Sequence, residues 1–122
     1  MELTHTEAFY FKWKNHRFQS STLKTEEFLR FAREFKRAIS YELPENMTIS
    51  FMVGHFYISG FFKNETTQKY AYFSISDVRF FQDSWVNDVL IRTAKDDKDY
   101  SGGKNQSVYL VNLVKRAKEI TE

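Results

Sequence analysis

Between Thr48 and Ile75 the chain alternates small or apolar residues with hydroxyl-bearing and aromatic ones, interrupted once by the polar stretch Asn64–Thr67. Side chains i and i+2 of a strand share a face, so this alternation writes two faces into one segment. Taking Asn64 to Thr67 as a four-residue turn pairs Lys63 with Gln68 and sets the register outward. Gly60 then faces Ala71, Ile58 faces Phe73 and Phe56 faces Ile75. The opposite face pairs Phe61 with Tyr70, Ser59 with Tyr72 and Tyr57 with Ser74. A one-residue slip would mix the two sets, so the pattern predicts an antiparallel hairpin. Upstream, Ile49, Phe51 and Val53 alternate with Ser50 and Met52, and the parity changes across Gly54. Gly54 therefore marks either a bulge in one long strand or a tight bend between two.

The remaining segments read as follows. Phe9, Phe11 and Trp13 alternate with Tyr10 and Lys12, a half-buried strand pattern over Ala8–Trp13, and the polar Lys14–Thr22 reads as a loop. From the N-cap candidate Thr25, Phe28, Phe31, Ala32, Phe35, Ala38 and Ile39 recur at helix spacing, and Pro44 ends the helix. Asp77–Asp88 has no clean period and is expected to wrap the sheet. Val89–Lys95 reads as a strand, and Val111, Val114 and Ala117 mark a short C-terminal amphipathic helix. With no repeat or linker, these elements predict one α+β domain spanning residues 1–122. It has a mostly antiparallel sheet, an N-terminal amphipathic helix packed on one face and a short C-terminal helix.

Composition narrows the function classes. The 122 residues include no Cys, which removes disulfides, thiolate metal sites and Cys nucleophiles. No apolar run reaches bilayer length and the first residues are polar, so a soluble, cytoplasmic protein without a membrane partner is expected. A net charge of +2 does not announce nucleic-acid binding, so any basic footprint must be a local patch. The 13 Phe, 7 Tyr and 2 Trp are more rings than a small core needs, which implies that some serve a surface.

Motifs for catalysis or cofactors fall short. Asp97, Asp99, Ser101 and Gly102 match the opening of a calcium loop, but the twelfth position is Val108 in place of a bidentate Glu, so a solvated turn is expected. Gly102, Gly103 and Lys104 suggest a phosphate loop, yet Lys98 stands where the first Gly belongs and Asn105 where the hydroxyl belongs. A glycine pair beside Lys98 and Lys104 still offers backbone donors to an anion. His5, His16 and His55 lack metal-ligand spacing. His55 falls opposite Ser76 on the outer hairpin face, but no oxyanion-hole motif accompanies the pair, so no enzyme, metal or cofactor is expected.

The outer hairpin face, with Tyr57, Phe61, Tyr70 and Tyr72, carries the functional expectation. Exposed rings on a sheet stack single-stranded bases. Covering by a helix or by Phe80–Trp85 would instead make them a buried layer. Lys69–Phe73 shares outward rings at alternate positions with the core motif of RNA-recognition domains, but lacks its Gly, and no helix is evident between Tyr72 and the Val89 strand. Only the stacking idea carries over. Arg30, Arg33 and Arg37, then Arg92 and Lys95, then Lys115, Arg116 and Lys118 form small basic clusters, with Lys104 nearby in sequence. If two converge they make a phosphate footprint. The candidate nucleic-acid-binding set is thus Tyr57, Phe61, Tyr70, Tyr72, Arg92, Lys95 and Lys104, with single strands favoured. The alternative is a protein-binding module or inhibitor, homodimeric in one version, using the same aromatic surface. Val89–Gly103, VLIRTAKDDKDYSGG, resembles a segment of small uncharacterised proteins carried by phages and conjugative elements of Gram-positive bacteria. That resemblance implies an accessory role in a mobile element and assigns no activity or site residue.

Overall fold

A computed structural model describes residues 3–16, 18, 25–54, 56–76, 78, 89–100 and 103–122. The chain opens with a helix where alternation predicted a strand: α1 spans His5–Trp13. Thr4 and Glu7 form a capping box, the Thr4 hydroxyl accepting from the Glu7 N–H at 3.1 Å and the Glu7 carboxylate from the Thr4 N–H at 3.0 Å. This start signal outweighs six residues of alternation because it satisfies donors that a helix end otherwise leaves open. Phe9 and Trp13, four apart, share the buried side of the helix while Phe11 is exposed.

Helix α2, Glu26–Glu42, follows the expected pattern. Thr25 caps it by accepting from the Phe28 N–H at 3.2 Å, and all six residues of the apolar stripe are buried. Leu43, ahead of Pro44, is extended, as a residue before proline must be. Phe9 meets Phe31 and Phe35 with ring centroids 5.1 and 5.8 Å apart, which fastens α1 to α2. The Trp13 indole N–H also donates to Glu34 at 3.1 Å.

Five strands follow: β1 Met47–Val53, β2 Ile58–Asn64, β3 Lys69–Ile75, β4 Val89–Ala94 and β5 Gln106–Val108. They form one antiparallel meander in chain order, β1-β2-β3-β4-β5. Of the two readings of Gly54, the tight bend is correct. The Gly54 N–H donates to the Tyr57 carbonyl at 2.9 Å, and β1 and β2 pair with each other. Phe56 and Tyr57 therefore lie in this bend rather than in the hairpin, and Phe56 holds φ of 61° with its ring wholly buried against Phe28.

The β2–β3 register differs from the expected one by a two-residue offset. Asn64 pairs with Lys69, Gly60 with Phe73, Phe61 with Tyr72 and Ile58 with Ile75, leaving Glu65–Gln68 as the loop. The cause is Asn64, whose buried side-chain oxygen accepts from the N–H groups of Thr66 and Thr67 at 3.0 and 3.2 Å. Gln68 closes the loop at φ 63°. An even offset leaves each residue on its expected face. Gly60 is required where it stands, because a Cβ there would run into the Ser50 carbonyl and the Phe73 ring.

The chain ends with a 3₁₀ turn at Leu110–Asn112 and α3, Leu113–Thr121. All three helices share one core with the inner side chains of the sheet, among them Ile58, Phe62, Ala71, Phe73, Ile75, Val89 and Ile91. The molecule is thus an α+β domain with its helices on one face. Of the expected loop over residues 14–22 the described part, residues 14–16 and 18, leaves α1 in a turn, with the His16 N–H donating to the Trp13 carbonyl at 2.9 Å and Phe18 buried; of the expected wrap over residues 77–88 only Val78 is described, and it is buried.

Candidate functional site

The face of the sheet opposite the helices is set by the register. One row runs across four strands, Ser50, Phe61, Tyr72 and Arg92, flanked by a row of Thr48, Lys63, Tyr70 and Ala94 and by one of Met52, Ser59, Ser74 and Leu90. Among the described residues no helix packs here. The β4–β5 loop does: Tyr100 lays its ring against Phe61 at 5.3 Å and Tyr72 at 5.7 Å, both edge-on. Phe61 and Tyr72 lie 5.2 Å apart, so the three rings close a cluster. Edge-on rings meet with complementary quadrupoles, which orients the cluster as well as burying it.

Arg92 finishes the arrangement. Its guanidinium lies 4.4 Å from the centre of the Tyr72 ring, a cation–π contact, while one terminal nitrogen donates to the Asn105 side chain at 3.1 Å and the other to the Tyr100 carbonyl. Its Nε is buried with no partner among the described residues. Arg92 thereby ties β4 to the loop that carries Tyr100.

The expected site residues separate into different roles. Phe61 is 5% exposed, enclosed by Tyr72 and Tyr100, so its ring face is not open to a base. Tyr72 and Tyr70 are half-buried, and the Lys63 ammonium stands 5.6 Å over the Tyr70 ring. The Glu65 carboxylate, 3.5 Å away, and then Tyr70 hold the Lys63 ammonium above the usual lysine range. Tyr57 is exposed in the β1–β2 bend, its ring lying where a Cβ on Gly54 would be. Lys95 and Lys104 are exposed at the two ends of the β4–β5 connection. Sequence reasoning missed Tyr100, which is 49% exposed; a lone ring within a charged, glycine-containing stretch was the available signal.

The other motifs resolve locally. The Asp96 and Asp99 carboxylates accept from the N–H groups of Lys98 and Lys95 at 2.8 and 2.9 Å, which shapes the turn. Ser101, Gly102 and His55 lie outside the described residues. Among the described residues no group of three or more His, Asp or Glu side chains could hold a metal ion. The basic face of α2 lies on the helix side of the sheet, away from Arg92, and Arg30 spends its charge on Glu34 at 4.0 Å and on the Trp13 ring. Lys115 and Arg116 line a separate cleft of about 470 Å³ with Ser107, Tyr109, Asn112 and Glu119. No described helix is long and apolar enough to cross a membrane. Comparison with protein-family models, curated proteins and solved structures finds no match.

Proposed function

We propose that this chain is a small, non-enzymatic accessory protein of a phage or conjugative element that acts in the cytoplasm by binding another protein through the open face of its sheet. The observation that carries the reading is the Phe61–Tyr72–Tyr100 cluster with Arg92 stacked on it, at the centre of a face that the helices leave free. Tyr and Arg held rigidly around a dry centre are what interface hot spots are made of. Met52, 46% exposed on the same face, adds an apolar, adaptable contact. Both terminal nitrogens of Arg92 are committed to protein oxygens and a turn bearing Asp96 and Asp97 lies beside it, which favours a protein surface over a phosphate backbone. The mobile-element role rests on the resemblance of Val89–Gly103.

A second reading, a single strand of nucleic acid laid across this face, is favoured by the exposed Lys95, Lys98 and Lys104 in the connection that carries the exposed Tyr100. One pair of experiments separates them. A photo-reactive residue at position 100 should trap a protein partner in the source cells, and one at Ser40, exposed on the helix side, should not. Labelled oligonucleotides followed by fluorescence anisotropy at about 50 and 200 mM salt should show no binding. Salt-dependent oligonucleotide binding that disappears in Tyr70→Ala with Tyr100→Ala would transfer the assignment to nucleic acid. No adduct and no binding would sink both.

A further inference from the structure

The two edges of the sheet are built differently. At one, β5 has three residues, Gln106–Val108, too short to template another strand. At the other, β1 has seven, Met47–Val53, with no charged residue, no proline and, among the described residues, no strand neighbour besides β2. Natural sheets blunt such an edge with charge, proline or a bulge, and β1 carries none of these.

Backbone parity shows which groups are open. Asn46 accepts from the Glu65 N–H at 2.7 Å, and the Gly54 N–H donates to Tyr57 at 2.9 Å, both in the register of the β1–β2 ladder. Even-numbered residues of β1 therefore exchange bonds with β2, and odd-numbered residues turn their N–H and C=O outward. Met47 is occupied, its N–H donating to the Pro44 carbonyl at 3.0 Å. Val53, at the other end, also has a partner, which leaves Ile49 and Phe51 on either side of Ser50, both side chains half-buried on the core side.

We infer that β1 pairs with β1 of a second copy of this chain, antiparallel about a two-fold axis through Ser50. In that register Ile49 of each copy faces Phe51 of the other and exchanges both backbone bonds with it, which satisfies every outward group at the centre of the edge. The side chains agree with the symmetry. On the core side the pairs are Ile49 with Phe51, and on the open side Ser50 with Ser50 and Thr48 with Met52, so no like charges meet where a two-fold axis forces identical residues together. Two charges lie beside the edge: the Glu65 carboxylate accepts from the Thr48 hydroxyl at 3.3 Å, off the axis, and the Lys36 ammonium lies 5.7 Å over the Phe51 ring on a long stem free to swing aside. The five-stranded sheets join into one, and the two open faces, each with its Tyr100 cluster, come to lie on the same side.

The absence of native cysteine makes the test direct. Residues on the axis form a non-hydrogen-bonded pair whose Cα atoms are about 4.5 Å apart, within disulfide reach. Ser50→Cys should therefore form a covalent dimer rapidly under mild oxidation, and Thr48→Cys, displaced from the axis, should not. By sedimentation velocity the unmodified chain should show twice the 14.6 kDa monomer mass, and Ser50→Glu should return it to monomer with an unchanged circular dichroism spectrum. A monomer at high concentration, or equal cross-linking from positions 48 and 50, would overturn the inference.

Discussion

The two faces of this sheet come from the same alternating segments, yet they are finished in different ways. The inner face puts Phe62, Phe73 and Ile91 under three helices, and each is wholly buried. The outer face carries Phe61, Tyr70 and Tyr72 with hydroxyls between them, and among the described residues these rings are covered by Tyr100 from a loop and by the Arg92 and Lys63 side chains. Helices can bury an apolar stripe along their whole length, whereas one loop ring covers about its own area. The inner face therefore acts as the core, and on the outer face Tyr70 and Tyr72 stay half-buried.

If the inner face is the core, Phe73→Ala should be the costliest single change, about 3–5 kcal/mol in chemical denaturation, since it opens a cavity against Phe35, Phe51 and Phe62. Phe61→Ala should cost clearly less, and equal costs would show that the outer face is a second core. Gly60→Ala should lower the denaturation midpoint by the equivalent of about 1–3 kcal/mol, because the added methyl presses on the Ser50 carbonyl and the Phe73 ring. Tyr100→Ser should cost about 1 kcal/mol, the worth of its two edge-on contacts, while removing the proposed binding. A variant that unfolds instead would make Tyr100 structural.

The smallest effect concerns acid. Burial raises the Glu34 carboxyl, but hydrogen bonds from Lys12 and Trp13 and the charges of Lys12 and Arg30 lower it further, leaving it below the usual carboxylate range. A lowered folded value means the bond contributes fully above the unfolded value and is lost as pH falls through the folded one. Trp13 fluorescence should therefore report loosening of α1 from α2 only in acid, ahead of the sheet, and Glu34→Gln should flatten that response.

The stripe Phe28–Ile39, the stop at Pro44, the partition of Ile58–Ile75 into two faces and strand β4 were legible because each is written as local periodicity. The strand expected at Ala8–Trp13 was wrong because Phe9, Phe11 and Trp13 satisfy alternation as well as half of a helical stripe, and Thr4 with Glu7 decided between them. The pairing of Phe61 with Tyr72 was missed because Asn64 organises the loop with its own side chain. Of the candidate site, the common face of Phe61, Tyr70 and Tyr72 was legible from alternation, but that Arg92 joins them, and the contacts between them, were not visible.

By itself the sequence determined which side chains share a face, since that follows from backbone periods of 2.0 and 3.6 residues. Only the tertiary structure decided which face the helices cover, that Tyr100 closes over Phe61, that Arg92 joins Tyr72 to the loop, and that β1 is left as the open edge. These depend on contacts between residues far apart in the chain, and no local period encodes them.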